Sequence, residues 1–219
     1  MAGGVVAWEN PSLGFFGQWW GTVKETFIPS RAFAARIAQS ESAMPAATFS
    51  LSVFALLGLV FGVLMGVMYG AMGGMAALSG GKSAGPIGML VASMGVGMAI
   101  AYPLMMAVSG FVGPWIGGGI HHLMLMMMGG ATKSYSHTVR VSGYAAGAAL
   151  WLLVPCVGSL AYVVVMVIHN ILGLDETHRC GTGKAAAAVL LPIALLVVCW
   201  CASYGTIMAL AMGSGGSRP

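Results

Sequence analysis

Five long apolar runs, separated by short polar connections, restrict the fold of this chain more than any other feature. Each run is as long, or nearly as long, as the roughly 20 helical residues that cross a hydrocarbon core. Backbone polar groups inside a bilayer need internal partners, which favours helices. The sequence therefore predicts an all-α, polytopic transmembrane bundle, with runs at residues 46–78, 86–130, 138–157, 159–174 and 185–212.

Composition agrees with a membrane location. Charged residues make up 6% of the 219 residues, and the mean hydropathy is +0.91. Soluble domains carry about 25% charged residues. These values exclude a soluble globular domain, and no nucleic-acid partner is expected.

The basic residues determine the predicted topology. Residues 1–23 contain no Lys or Arg, so the charged start of a secretory signal is missing and a cytoplasmic N-terminus is expected. If the run at 86–130 crosses once, with bends at Pro103 and Pro114, only Lys82 and Arg218 lie outside. The positive-inside rule then favours five net crossings, with a cytoplasmic set of Lys24, Arg31, Arg36, Lys133, Arg140, Arg179 and Lys184.

Residues 1–45 form a separate region with amphipathic helices of its own. Phe16, Trp20, Val23 and Phe27 recur at helical spacing in a helix that Ser12 is predicted to cap and Pro29 to end. A second helix is predicted to start at the cap residue Ser30. The helices suit either the bilayer interface or packing on the bundle, and the interfacial residues would be Phe16, Trp19, Trp20, Phe27, Arg31 and Arg36.

The first apolar run carries a glycine at every fourth position. Glycine at this spacing lets another helix backbone approach closely. We favour packing against a neighbouring span of the same chain, and the alternative is a seam between copies in an oligomeric transporter or channel. The repeat comprises Gly58, Gly62, Gly66, Gly70 and Gly74, with shorter echoes such as Gly113 with Gly117.

Two adjacent histidines beside a methionine cluster raise the question of a soft-metal site. His121, His122 and the methionines at 124 and 126–128 are ligand types that suit Cu(I). The chain has 18 methionines, however, so the cluster is partly compositional, and we predict no metal site. In the polar loop, Cys180 is the one cysteine that could be reactive.

Catalytic motifs are absent from the sequence. The five acidic residues, Glu9, Glu25, Glu41, Asp175 and Glu176, all lie outside the apolar runs, and there is no HExxH, no GxSxG at a strand-to-helix turn and no phosphate loop. A transporter or intramembrane hydrolase usually places an ionisable residue at membrane depth. We therefore predict a protein that is not an enzyme and needs no cofactor.

The motifs, taken in order, resemble the Yip domain family of membrane proteins, named for their interaction with Ypt/Rab GTPases. The similarity runs from about residue 14 to 212, beginning with GFFGQWWGTVKETFIPSRAF and continuing with HHLMLMMMGGATKSYSHTVRVSGYAAG. Ala148 departs from the proline that family members often have after the tyrosine. The matching positions are Pro29, Phe33, His122, Gly129, Gly130, Ser134, Tyr135, Tyr144, Pro155, Gly158 and His178.

The resemblance implies a Yip-like transmembrane domain at 46–212, followed by a flexible tail at 213–219. Because the region before it is only about 45 residues long, the chain is similar to the short prokaryotic members, and Rab binding is not carried over. We therefore expect a non-enzymatic scaffold or membrane-organising protein in a bacterial inner membrane. Its expected partners are bilayer lipids and other membrane proteins or further copies of the chain.

Overall fold

The computed structural model describes residues 4–78 and 84–213, and the regular secondary structure of these ranges is entirely helical. The predicted tail at 213–219 lies, apart from residue 213, outside the described residues, as do Lys82 and Arg218. The helices are α1 (Phe15–Phe27), α2 (Arg31–Ile37), α3 (Met44–Leu78), α4 (Ala84–Met127), α5 (Tyr135–Ala145), α6 (Gly158–His178) and α7 (Thr182–Gly213), with short 3₁₀ helices at Ala7–Glu9 and Ala146–Leu153.

Within the described residues, four helices are long and apolar enough to cross a membrane. They are α3, α4, α6 and α7, and they coincide with four of the five predicted runs. The run at 86–130 forms one continuous helix through Pro103 and Pro114. The chain is therefore an integral membrane protein by the length and composition of its helices.

The predicted run at 138–157 folds differently from the other four. Its first part lies in α5, which has only 11 residues, and the chain then continues as the 3₁₀ helix Ala146–Leu153. A 3₁₀ helix of eight residues is unusually long, because its hydrogen-bond geometry is poorer than that of an α-helix. α5 also carries buried polar side chains, which are those of His137, Thr138 and Arg140.

The N-terminal helices pack on the bundle. Val23 and Phe33 belong to the same buried core as Leu57 and Tyr144. Ser12, which precedes α1, does not cap that helix as predicted. Its amide and hydroxyl instead donate to Asn10 Oδ1, and α1 starts after Gly14. The Ser30 cap of α2 is confirmed, because its hydroxyl accepts from the Phe33 amide at 3.2 Å.

The predicted aromatic stripe of α1 is divided between two environments. Val23 is buried, whereas Phe16 and Trp20 are 83% and 57% exposed. Trp19 is half-buried, and its indole N–H donates to Ser52 on α3 at 3.1 Å. α1 therefore uses one side to dock on the bundle and presents the other, aromatic side outward.

The glycine repeat of α3 packs against α4. A Cβ on Gly58 would lie 2.7 Å from the Cα of Pro103, and one on Gly66 would lie 3.0 Å from the Cβ of Ala99. Farther along, the close contact passes to Gly73, whose added Cβ would lie 2.5 Å from the Gly88 carbonyl oxygen. A Cβ on Gly70 or Gly74 would meet nothing within 4 Å.

We predict that Gly62→Leu destabilises the α3–α4 hairpin by about 1–3 kcal/mol, because the larger side chain has to displace the Pro103 ring. Gly70→Leu is the matched control on the same helix and should leave stability nearly unchanged. Thermal unfolding of the two variants in detergent checks this. Equal unfolding midpoints for the two variants would contradict the packing of the glycine repeat against α4. A change in oligomer mass with Gly70→Leu would indicate that copies of the chain pack together through this helix.

Candidate functional site

α5 is the centre of the polar interior, and its side chains bond to α4, α6, the N-terminal segment and the end of α2. Its buried polar groups are flanked by α4, α6, the N-terminal segment and the connection from α2 to α3. Burying such groups is costly unless they are hydrogen-bonded. The arrangement of α5 is thus set by where those bonds can be made.

Thr138 joins two histidines from different helices. Its Oγ1 lies 2.9 Å from His122 Nδ1 on α4 and 2.9 Å from His178 Nε2 at the end of α6. His178 Nδ1 accepts from the Lys133 amide at 3.2 Å. In the neutral imidazole the proton therefore sits on Nε2, which donates to Thr138, and the Thr138 hydroxyl is left to donate to His122.

The partner of His122 is a hydroxyl of the next helix, because α5 presents Thr138 to α4 at that level. The His122 and His178 rings lie 5.8 Å apart between centroids. His178 is further fixed by its carbonyl, which accepts from Thr132 Oγ1 at 2.5 Å.

Several residues of the family motif meet around these two histidines. Tyr135 packs edge-on to His122 and donates its hydroxyl to the Trp115 carbonyl at 2.5 Å. Gly129 has a φ of 62° at the end of α4, a conformation that favours glycine, and the Gly130 amide donates to Leu125 at 2.7 Å. These residues shape the turn between α4 and α5.

The other motif residues lie elsewhere in the fold. Phe33 on α2 is buried against the rings of Tyr144 and His169. Pro29 stands in the connection between α1 and α2, and Pro155 is exposed ahead of α6. The motif residues are therefore spread along the bundle, and they do not converge on a single reaction centre.

A buried ion pair joins the beginning of the chain to α5. Arg140 is 1% exposed, and its Nη2 lies 2.5 Å from Glu9 Oε1. Its Nε donates to the Ile37 carbonyl at 2.7 Å and its Nη1 to the Ser42 carbonyl at 3.0 Å. The Tyr144 hydroxyl donates to the same Glu9 carboxylate.

The sequence did not reveal this pair. Arg140 was assigned only a topological role, although an isolated arginine at the edge of an apolar run needs a buried partner. Glu9 lies 131 positions away, so no spacing rule links the two residues. The two arginines of α2 also bind carboxylates, Arg36 with Glu25 at 2.7 Å and Arg31 with Glu176 at 2.9 Å.

An apolar groove lies between α1 and the 3₁₀ helix Ala146–Leu153. We call it the α1 groove, and its volume is about 600 Å³. Lys24 is the one charged residue among those that line it. The groove is otherwise bounded by Trp19, Trp20, Val23, Phe27, Ile28, Leu56, Leu150, Leu153 and Val154.

The described residues show no grouping of three or more His, Cys, Asp and Glu side chains that would hold a metal ion. His121 and His122 face different surroundings, His121 toward Ser142 and His122 toward Thr138. Burial, followed by the nearby charge of Asp175, raises the pKa of the Cys180 thiol. A raised pKa favours the unreactive thiol over the thiolate, which argues against the reactivity that the sequence left open for Cys180.

The fold and these contacts define a polytopic helical membrane protein with a buried polar helix and N-terminal helices docked on its side. The chain belongs to the Yip1 domain family, whose family model matches residues 24–203, and this confirms the resemblance seen in the sequence. No curated protein and no solved structure matches the chain.

Replacing Arg140 should test the central ion pair. We predict that Arg140→Met costs about 3–5 kcal/mol of stability, because it leaves the Glu9 carboxylate without its cation. Arg36→Met breaks a pair whose side chains are 25% and 27% exposed, and should cost about 1 kcal/mol or less. Thermal unfolding in detergent measures both, and similar losses would contradict a special role for Arg140.

Proposed function

We propose that this chain is a non-enzymatic membrane-organising scaffold that holds bilayer lipid against its N-terminal helices. The observation that supports this most directly is the α1 groove. Its lining is almost wholly apolar, which suits an acyl chain, and Lys24 offers a cation to a lipid phosphate. Phe16, Trp20 and Ile28 are exposed beside it, and such aromatic and apolar side chains favour the headgroup layer.

The same proposal assigns Arg31 and Arg36 a second role at the interface. Both guanidinium groups bind carboxylates of the chain, and Arg31 nevertheless remains 57% exposed. Contact with anionic headgroups would therefore add to the existing ion pairs. Four of the five carboxylates of the chain, at positions 9, 25, 175 and 176, are held by arginines, which supports a structural use of the acidic groups.

Filling the α1 groove tests the lipid-binding proposal. Val154→Trp places a bulky ring in the groove, and Leu160→Trp, on an exposed face of α6 outside it, is the matched control. We expect native mass spectrometry to show fewer retained phospholipids for Val154→Trp and the wild-type number for Leu160→Trp. Equal retention would contradict the proposal, and ion flux through liposomes carrying the wild type would favour the alternative of an oligomeric channel or transporter.

We also propose five net crossings with the N-terminus in the cytoplasm of a bacterium. The turn at 128–134 and the end of α6 lie at the same end of the bundle, since Thr132 and Lys133 both bond to His178. If α6 crosses the membrane, the segment at 135–157 must therefore cross as well, in the opposite direction. The alternative is that 135–178 enters and leaves on one face.

Labelling of Cys156 distinguishes the two topologies. Cys156 is exposed in the connection before α6, and the other three cysteines can be replaced by serine. We predict that a membrane-impermeant maleimide added outside intact cells labels Cys156, because five crossings place this connection outside. Labelling only after permeabilisation would contradict the fifth crossing.

A further inference from the structure

A second cavity lies inside the bundle, away from the α1 groove. Its volume is about 290 Å³, and helices α3 to α7 all contribute to its wall. We call it the Ser50 cavity. Its polar lining consists of Ser50, Ser109, His121, Ser142, Tyr162 and Asn170, and no Lys, Arg, Asp or Glu lines it.

Ser50 is the clearest indication that the cavity receives a ligand. Its side chain is fully buried, and its hydroxyl oxygen has no hydrogen-bond partner. A buried hydroxyl without a partner costs about 1–3 kcal/mol. A polar group bound in the cavity would remove that cost.

The polar groups on the opposite wall are only weakly satisfied by one another. Ser142 Oγ lies 3.4 Å from Asn170 Oδ1 and 3.5 Å from His121 Nδ1. These distances are at the upper limit for hydrogen bonds. The wall can therefore both donate to and accept from a hydroxyl or carbonyl placed in the cavity.

Two glycines of α4 keep the cavity open. A Cβ on Gly113 or on Gly117 would meet nothing within 4 Å, so this pair does not serve close helix packing as Gly58 and Gly66 do. Both glycines line the cavity. Side chains at these two positions would fill space that the fold otherwise leaves empty.

The mouth of the cavity faces the lipid-exposed side of the bundle, between α4 and α7. Ser109 and Gly113 on α4 and Ile193 on α7 are exposed, whereas Ser50, Asn170 and Val189 are buried. All of these residues lie in the four helices that can span a membrane. A ligand would therefore enter sideways from the bilayer.

We propose that the Ser50 cavity binds a neutral lipid whose headgroup carries a free hydroxyl group, of the diacylglycerol type. A charged headgroup would find no counter-ion in the wall, and burying it without one is costly. At roughly 30 Å³ per water-sized group, the space suits about ten such groups, the size of a glycerol with its ester linkages. The acyl chains would leave through the mouth between α4 and α7.

Photo-crosslinking in nanodiscs tests the proposal. The probes are a clickable, photoactivatable diacylglycerol and the phosphatidic acid and phosphatidylcholine with the same acyl chains. We expect diacylglycerol to label peptides around residues 109–121 about tenfold more than either phospholipid, the ratio for a difference of about 1.4 kcal/mol. Equal labelling by the three probes, or none by any of them, would overturn the proposal.

Substitutions in and outside the Ser50 cavity test whether the labelled lipid is bound there. Gly117→Leu fills the cavity and should abolish it, whereas Gly97→Leu, at another exposed α4 glycine with open space around it, should not. Ser50→Ala removes one hydrogen-bond donor and should lower labelling about fivefold without lowering the unfolding temperature. Unchanged labelling in Gly117→Leu or Ser50→Ala would place the lipid elsewhere.

This inference does not depend on the lipid-binding role of the α1 groove. Val154→Trp fills that groove and should leave diacylglycerol labelling of α4 unchanged. Loss of phospholipid retention without loss of labelling would show two separate sites. Loss of both in Val154→Trp would overturn the assignment to the Ser50 cavity.

Discussion

The Glu9–Arg140 ion pair is the interaction on which the arrangement of this chain depends most. A guanidinium that is 1% exposed has lost nearly all of its water, and the fold replaces it with one carboxylate and two backbone carbonyls. One of those carbonyls is that of Ile37, the last residue of α2, where unpaired carbonyls and the helix dipole favour a cation. A single side chain thereby fixes the N-terminal segment, the end of α2 and the start of α3 around α5.

A second consequence is the placement of the histidines. With α5 held by Arg140, the side chain two residues earlier, on roughly the opposite side of the helix, faces the gap between α4 and α6. Thr138 lies there, and its hydroxyl is small enough to bond to an imidazole on each side. The polar centre is thus continuous from the N-terminal segment to the end of α6. This continuity explains how a chain with so few charged residues specifies one packing of its helices.

Much of the architecture could be predicted from the sequence, because it depends on local rules. Hydropathy and length locate the spanning helices, and the Ser30 cap follows from residue type and position. The features that the sequence did not predict depend on contacts between residues that are distant in sequence. The run at 138–157 was predicted as one apolar segment, yet it divides into the polar α5, whose side chains bond to Glu9, His122 and His178, and an apolar 3₁₀ helix.

The candidate sites were less predictable than the helices. The residues around the α1 groove were expected at a membrane interface, but their enclosure by Leu150 and Val154 depends on the position of the 3₁₀ helix. From their spacing alone, Gly113 and Gly117 were predicted to serve helix packing, as Gly58 and Gly62 do. Only their neighbours distinguish a helix seam from a cavity wall.

The length of the α3–α4 hairpin also has a consequence for how the bundle is joined to the N-terminal helices. α3 has 35 residues and α4 has 44, which at 1.5 Å per residue correspond to about 52 and 66 Å. A hydrocarbon core is about 30 Å thick, so the excess length has to be taken up by tilt, by a thicker bilayer or by helical turns that extend past the core. At the beginning of α3, part of this excess is covered by the N-terminal region, since Thr48 and Ser52 bond to Trp8 and Trp19. The hairpin therefore joins the spanning part of the bundle and the N-terminal helices through one uninterrupted helix.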